Sequence, residues 1–325
     1  MRRFSLWGIL TAIVGLALLA WMVYSVGPAE IVADVRRVGW MLIAIVAIGG
    51  LRFLLRAAAW RLCLDPPHKL SIGHAFAAVV CGDTIGNLTP LGPIVGEPAK
   101  AAFVRGRVAL GPAVTALAIE NVLYTLSTAA MIAAGMVALL VEFQPPSAVK
   151  GVGEIAIAGT VLLFALSLWM LWRQPALISR ALGLAPPLRR HAARMQDIET
   201  RIYTFASRHR AKLPLLAVAE LGFHVLGIAE NYLTLWTLND APPPFMTAFI
   251  LETANRLITV VFKVVPFRLG VDEAAMGYIT QMLGLGTRPG LSIAIIRKLR
   301  MLAWALVGGI LVVREGLTQR HPPIE

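Results

Sequence analysis

Residues 86–100 read GNLTPLGPIVGEPAK, and the fold turns on how this stretch is read. It lies inside a longer apolar run, about 70–107, that Pro90, Gly92, Pro93, Gly96 and Pro98 interrupt. Gly and Pro at this density force a tight reversal. Pro98 suits the first turn of a helix, where its missing N–H would be unpaired anyway. A short helix is therefore predicted to start near Glu97 and run back to Arg105. A second apolar run, about 246–287, is broken by Pro266, Gly270 and the pair Asp272–Glu273. Its half-helix is predicted to start at Asp272 or Glu273.

The surroundings say what solvent these hairpins meet. The chain has 325 residues, 58% hydrophobic and only 15% charged. A soluble domain carries nearer a quarter charged residues, so lipid must face much of this surface. Hydropathy gives six strong spans, about 5–26, 39–63, 112–141, 153–172, 213–238 and 291–313. Each exceeds the roughly 17–20 residues that cross the hydrocarbon. The first lacks a small-residue cleavage site after a short core, so it reads as a span and not as a signal peptide. The two broken runs fit hairpins that enter and leave on one side, since irregular backbone at membrane depth needs protein or water around it.

The net charge of +12 is concentrated between Arg173 and Lys212, where nine basic residues stand against Asp197 and Glu199. In a soluble chain that run would suggest nucleic acid; beside spans it reads as a cytoplasmic loop near anionic lipid. With two hairpins, Arg2, Arg3, Arg61, Lys69, Arg105, Arg107, the 173–212 linker, Arg314 and Arg320 share the cytoplasmic side. Glu30, Asp34, Glu142 and Asp240 lie outside, with Arg36, Arg37, Lys150 and Arg288 as exceptions. The fold class predicted is all-α integral membrane: six full transmembrane helices plus two re-entrant helical hairpins, in the inner membrane, with both termini cytoplasmic. Two full spans in place of each hairpin would give the same sidedness.

A shift of 176 residues matches the chain to itself at 14 positions over residues 58–129. Trp60 falls on Trp236, Pro66–Pro67 on Pro242–Pro243, Pro90 on Pro266 and Glu97 on Glu273. The chain thus divides into repeat 1, about 39–141, repeat 2, about 213–313, and the basic linker, about 173–212. Under the topology above the repeats are inverted, and binding sites in that plan lie near the midplane where the repeats meet.

Charged residues inside apolar segments are costly and normally face the bundle interior. Arg52 and Arg56 are four apart on one helix face. Glu120 and Asn121 lie about two turns into their span. Arg297, Lys298 and Arg300 begin near the outer end of the last one. Asp83, Asn87 and Glu97 belong to the first hairpin; Glu252, Asn255, Arg256, Lys263, Arg268, Asp272 and Glu273 belong to the second. Together they outline a polar translocation cavity; the alternative is ion pairing that only fixes packing. Glu97 and Glu273 could also serve merely as helix caps, although Glu is a poor one. His224, Glu220 and Glu230 compose a candidate proton relay, against the commoner role of a span histidine that bonds a neighbour. Met195, Ile198, Ile202 and Phe205 have helical apolar spacing, which fits a helix on anionic lipid or one packed on the bundle. No H-E-x-x-H, P-loop or G-x-S-x-G is present, and Cys63 and Cys81 have no metal spacing. The expectation is a protein without catalytic residues, metal or cofactor.

The run at 86–100, with A-I-E-N-V-L at 118–123 and P-F-R-L-G-V-D-E-A at 266–274, resembles the lysylphosphatidylglycerol synthase transmembrane region, a flippase-like membrane family. The likeness extends from about residue 40 to 313. Its G-E-P-A-K form is similar to the branch associated with hopanoid biosynthesis. Two departures stand out. The family's E-R pair is Glu120–Asn121 here, and the aminoacyl-transferase domain of bifunctional relatives is not in this sequence. The resemblance implies translocation of a lipid or lipid-linked amphiphile, of phospholipid, polyprenyl-linked or hopanoid type, without synthesis of lysyl-lipid. The partners it implies are membrane lipids, a lipid-type substrate and lipid-biosynthesis enzymes, with no nucleic acid. A non-transporting partner of lipid-modifying enzymes and a small-solute transporter are the competing readings.

Overall fold

The computed structural model describes residues 21, 23–24, 27–89, 92–143, 145–184, 189, 192–263 and 265–320. The predicted first span at 5–26 and the turn residue Pro90 lie almost wholly outside them. The described residues form α-helices, short 3-10 turns and loops, and no strand. Twelve α-helices follow in order: α1 (Pro28–Val38), α2 (Met41–Leu62), α3 (Ile72–Leu88), α4 (Gly92–Phe103), α5 (Leu110–Glu142), α6 (Ser147–Arg173), α7 (Leu177–Leu184), α8 (Ala192–Arg208), α9 (Leu213–Asn239), α10 (Phe245–Val261), α11 (Val271–Met282) and α12 (Thr287–Arg320). Among the described residues, four helical segments are long and apolar enough to cross a membrane: α2, α5, α6 and α9 with the turn before it. The last helix, α12, is 34 residues long and carries Arg288, Arg297, Lys298 and Arg300 in its first half.

Both broken runs fold as paired short helices. The first pair has 17 and 12 residues, and so has the second. At 1.5 Å per residue these are about 25 and 18 Å long, short of a ~30 Å hydrocarbon core. Helix α11 begins where predicted, with Gly270 at φ 75° before it and Asp272 and Glu273 in its first turn. Helix α4 does not. It begins at Gly92, five residues before Glu97, and Pro98 lies inside it. The reason is packing. Gly82 and Gly86 of α3 face Gly92 and Gly96 of α4 at backbone contact: a Cβ on Gly96 would lie 2.7 Å from the Gly82 carbonyl oxygen, and one on Gly92 would overlap that of Gly86. Two small-x-x-x-small faces pressed together gain more van der Waals contact than the one hydrogen bond that Pro98 forfeits.

The helices after each hairpin also match, at 33 and 34 residues. The register of the self-match does not hold through the hairpins: α3 and α10 start 173 residues apart, α4 and α11 start 179 apart. Glu97 is therefore the sixth residue of its half-helix and Glu273 the third of its own.

Polar contacts collect at two ends of the bundle. At one end Arg37 donates to the Leu238 carbonyl and pairs with Asp240, while Arg288 pairs with Glu30 and Asp34. At the other, Lys212 donates to the Leu64 carbonyl at 3.1 Å, His209 meets Asp65 at 2.7 Å and Arg107 meets Glu315 at 3.0 Å. The start of α2 thus lies beside the end of α9, and its end beside the start of α9, so the two run antiparallel. Helix α8 lies at the second end. Its Phe205 is buried with Leu64, Val104 and Leu216, and Ile202 packs on the same cluster. The apolar stripe of this helix is spent on protein, which favours the packed reading over a lipid-facing one.

Candidate functional site

Arg52 and Arg56 share one face of α2, and each reaches a Glu–Asn pair on a different helix. Arg56 Nε lies 2.7 Å from Glu120 Oε1 on α5. Arg52 Nη1 lies 3.3 Å from Glu230 Oε2 on α9. The asparagine of each pair does the same work twice over. Asn121 Nδ2 donates to Glu97 and to the Leu117 carbonyl, and its Oδ1 accepts from Arg56. Asn231 Nδ2 donates to Glu252 and to the Gly227 carbonyl, and its Oδ1 accepts from Arg297. The cation missing beside Glu120 in the chain is supplied by Arg56, and Asn121 is the bridge to the first hairpin.

Two ionic networks result. The first runs Lys100–Glu97–Asn121–Arg56–Glu120, with Lys100 Nζ 2.6 Å from Glu97. The second joins Arg300, Glu230, Arg52, Glu252 and Arg256, with Asn255 donating to Glu252. Room for Glu252 exists because residue 227 is glycine; a Cβ there would overlap its carboxylate. Tyr124 ties the networks: Arg56 stacks on its ring at 3.9 Å, and its hydroxyl lies 3.4 Å from Arg256. Phe223 carries Arg52 at 4.3 Å and Arg256 at 5.0 Å. At the second hairpin Arg268 pairs with Asp272 at 2.9 Å, and Lys298 pairs with Glu273 at 2.7 Å. Phe267 and Arg268 both hold positive φ, 50° and 49°, a conformation that non-glycine residues pay to adopt. The turn thereby aims Arg268 at its partner.

These networks enclose a cavity of about 570 Å³. Of the predicted residues, Arg52, Arg56, Asp83, Asn87, Glu97, Asn121, Asn255, Arg256, Lys263, Arg268, Arg297 and Arg300 line it. Glu120, Glu252 and Asp272 stand behind the wall, paired with Arg56, Arg256 and Arg268 on it, and Glu273 and Lys298 pair with each other behind it. Lys100, Tyr124, Phe223 and Trp304 line it too, unforeseen. Lys100 had a signal, three residues from Glu97 on a helix, and Asn231 had one in the repeated E-N dipeptide. The lining basic side chains are Arg52, Arg56, Lys100, Arg256, Lys263, Arg268, Arg297 and Arg300, against Asp83 and Glu97. Arg297 is 3% exposed, has no carboxylate partner among the described residues, and its Nη1 has no hydrogen-bond partner. Lys263 is likewise without an ion pair among them. Such an excess of positive charge attracts anions. One wall is α6, through Ala156, Gly159, Thr160 and Leu163; nothing in the most apolar window of that helix is buried.

The three candidates for a relay do not form one chain. Ser127 bridges Glu220 and His224, whereas Glu230 is held by Arg52 and Arg300. No group of three or more His, Cys, Asp or Glu side chains with metal-holding geometry occurs among the described residues.

A family model described as the lysylphosphatidylglycerol synthase transmembrane region matches residues 6–309. The chain belongs to this family and is a multi-pass membrane protein. Neither a curated protein nor a solved structure matches it.

Proposed function

We propose that this member of the lysylphosphatidylglycerol synthase transmembrane family moves an amphiphile with an anionic headgroup across the bacterial inner membrane. It does so as a carrier, without chemistry on the substrate. The observation that carries the reading is Arg297, a buried guanidinium facing the cavity with one nitrogen unpartnered and no carboxylate within ion-pair distance among the described residues. A phosphate or similar group completes its hydrogen bonds, and Arg takes such groups in a bidentate grip. Binding sites of this kind also need a partner exchange. Glu97 holds Lys100 at 2.6 Å, and a headgroup competes for that ammonium. The tails stay in lipid beyond α6, which forms one wall of the cavity.

The topology that suits this task has six full spans and two re-entrant hairpins in an inverted repeat, with both termini cytoplasmic. The antiparallel course of α2 and α9 and the equal lengths of the paired hairpin helices support it. Substrates of the phospholipid or polyprenyl-phosphate-linked type fit the headgroup chemistry, whereas a hopanoid with a neutral polar end does not.

The test is lipid movement in reconstituted vesicles. Glu97→Gln and Arg297→Gln are each expected to abolish it while the protein folds, and Arg297→Lys to impair it. Transport at the wild-type rate in folded Glu97→Gln and Arg297→Gln would sink the reading and leave the cavity as packing.

A further inference from the structure

Glu220 differs from most of the carboxylates buried in the bundle. Glu120, Glu230, Glu252, Asp272 and Glu273 each lie within ion-pair distance of an Arg or Lys. Glu220 is 7% exposed and has no such partner among the described residues; its Oε2 accepts from Ser127 Oγ at 2.9 Å. Across the same hydroxyl, 3.2 Å away, is Nε2 of His224, which is 5% exposed and one helical turn from Glu220 on α9. The other ring nitrogen, Nδ1, is buried without a partner. A buried carboxylate without a cation is costly to keep ionised and is neutralised by a proton. The imidazole, joined through a hydroxyl that both donates and accepts, offers that proton a second resting place.

We propose that Glu220, Ser127 and His224 form a proton-binding site within the membrane that couples proton movement to the cavity. The coupling rests on the carrier reading above. The groups facing the site are Arg52, Arg56 and Cys63 of α2 and the residue after it, Glu120 and Tyr124 of α5, and Arg256 of α10 beyond the Phe223 ring. Arg56 is the link, because its field reaches Glu220 while its side chain lines the cavity and pairs with Glu120. With Glu220 ionised, its charge adds to those of Glu120 and Glu97 in holding Arg56. With Glu220 protonated, that added attraction is gone and a headgroup anion competes better for Arg56. Anion and proton therefore bind together. The proton moves from water on one side to the carboxylate, and leaves with the anion on the other; no bond other than O–H or N–H forms or breaks.

Infrared spectra of the purified full-length protein in maltoside test the site. A protonated-carboxyl band at neutral pH is expected that Glu220→Gln removes and Ser127→Ala shifts. A wild-type minus Glu220→Gln difference without that band overturns the site, and Ser127→Ala keeps the test open if Glu220→Gln misfolds. Vesicles with an imposed pH gradient test the coupling, with a fluorescent phosphatidylglycerol as probe. The wild type is expected to move it severalfold faster with the gradient than without, and Glu220→Gln at one rate in both. A wild-type rate indifferent to the gradient overturns the coupling alone. No movement in any condition overturns the carrier reading and the coupling with it, while the carboxyl band still decides the proton site.

Discussion

Asp34 and Arg288 show how one ion pair is placed where it can be measured. Arg288 Nη2 lies 2.6 Å from Asp34 Oδ1, and Ser292 Oγ donates to the other oxygen at 2.7 Å. Burial pushes the Asp34 carboxyl up, but the hydrogen bonds from Arg288 and Ser292 and the charges of Arg288 and Arg37 outweigh it and hold it below the usual value. A carboxylate depressed in the folded state adds stability above its ordinary, unfolded value, and that stability is lost as pH falls through the folded one. Thermal unfolding in detergent should therefore show an acid-side loss, below the usual carboxylate range, that Asp34→Asn removes. At neutral pH Asp34→Asn should cost about 1–3 kcal/mol, the scale of a charged hydrogen bond. A neutral-pH melting curve unchanged by Asp34→Asn would show the pair to be worth nothing. At this scale sequence reading has a clear limit. Glu97 and Lys100 are three apart and their pairing is visible in the chain, but Arg52 and Glu230 are 178 apart and theirs is not. A charge in a span announces that a partner exists; only the packing of helices decides which.

Short helices in this protein are held by their glycines. Pro98 invited a helix start near Glu97 because a helix interior tolerates proline badly. What that reasoning lacked was the face of α3, whose Gly82 and Gly86 accept Gly92 and Gly96 at backbone distance. The stripe on α8 was legible as amphipathic, yet its partner was not, since the same spacing suits lipid and protein alike. Substitution separates close packing from glycine's general cost. Gly96→Ala places a Cβ against the Gly82 carbonyl and should destabilise by about 1–3 kcal/mol, as overpacking does. Gly73→Ala, in the same hairpin with nothing within 4 Å of its added carbon, should stabilise by about 0.5–1 kcal/mol through helix propensity. Melting temperatures of the two variants moving in the same direction would contradict the assignment of that contact.

The whole molecule is a bundle with two polar ends, and charge alone foretold which loops share an end. Asp65, Arg107, His209 and Lys212 gather at one, as the cytoplasmic grouping required, and Glu30, Asp34, Asp240 and Arg288 gather at the other. Basic residues are drawn to the side that faces anionic lipid, so charge groups the loops by end without knowledge of a single contact. The self-match at a shift of 176 residues stands out for a different reason, through Trp and Pro residues too rare to match often by accident. Its offset changes by six residues across the hairpin turns, from 173 at the first helices to 179 at the second, because turn length is not constrained as helix length is. The orientation itself is open to a direct measurement. Both native cysteines are buried, at 2% and 1% exposure, so they contribute little background to thiol labelling. Ala241→Cys and Ser207→Cys place a thiol at exposed positions near opposite ends of α9. In intact spheroplasts a membrane-impermeant maleimide should label Ala241→Cys at once and Ser207→Cys only after lysis. The reverse pattern would invert the molecule in the membrane and put the basic linker outside, against the charge rule. Labelling of both before lysis would mean that α9 does not cross, and the antiparallel pair at the heart of the proposed carrier would have no membrane to span.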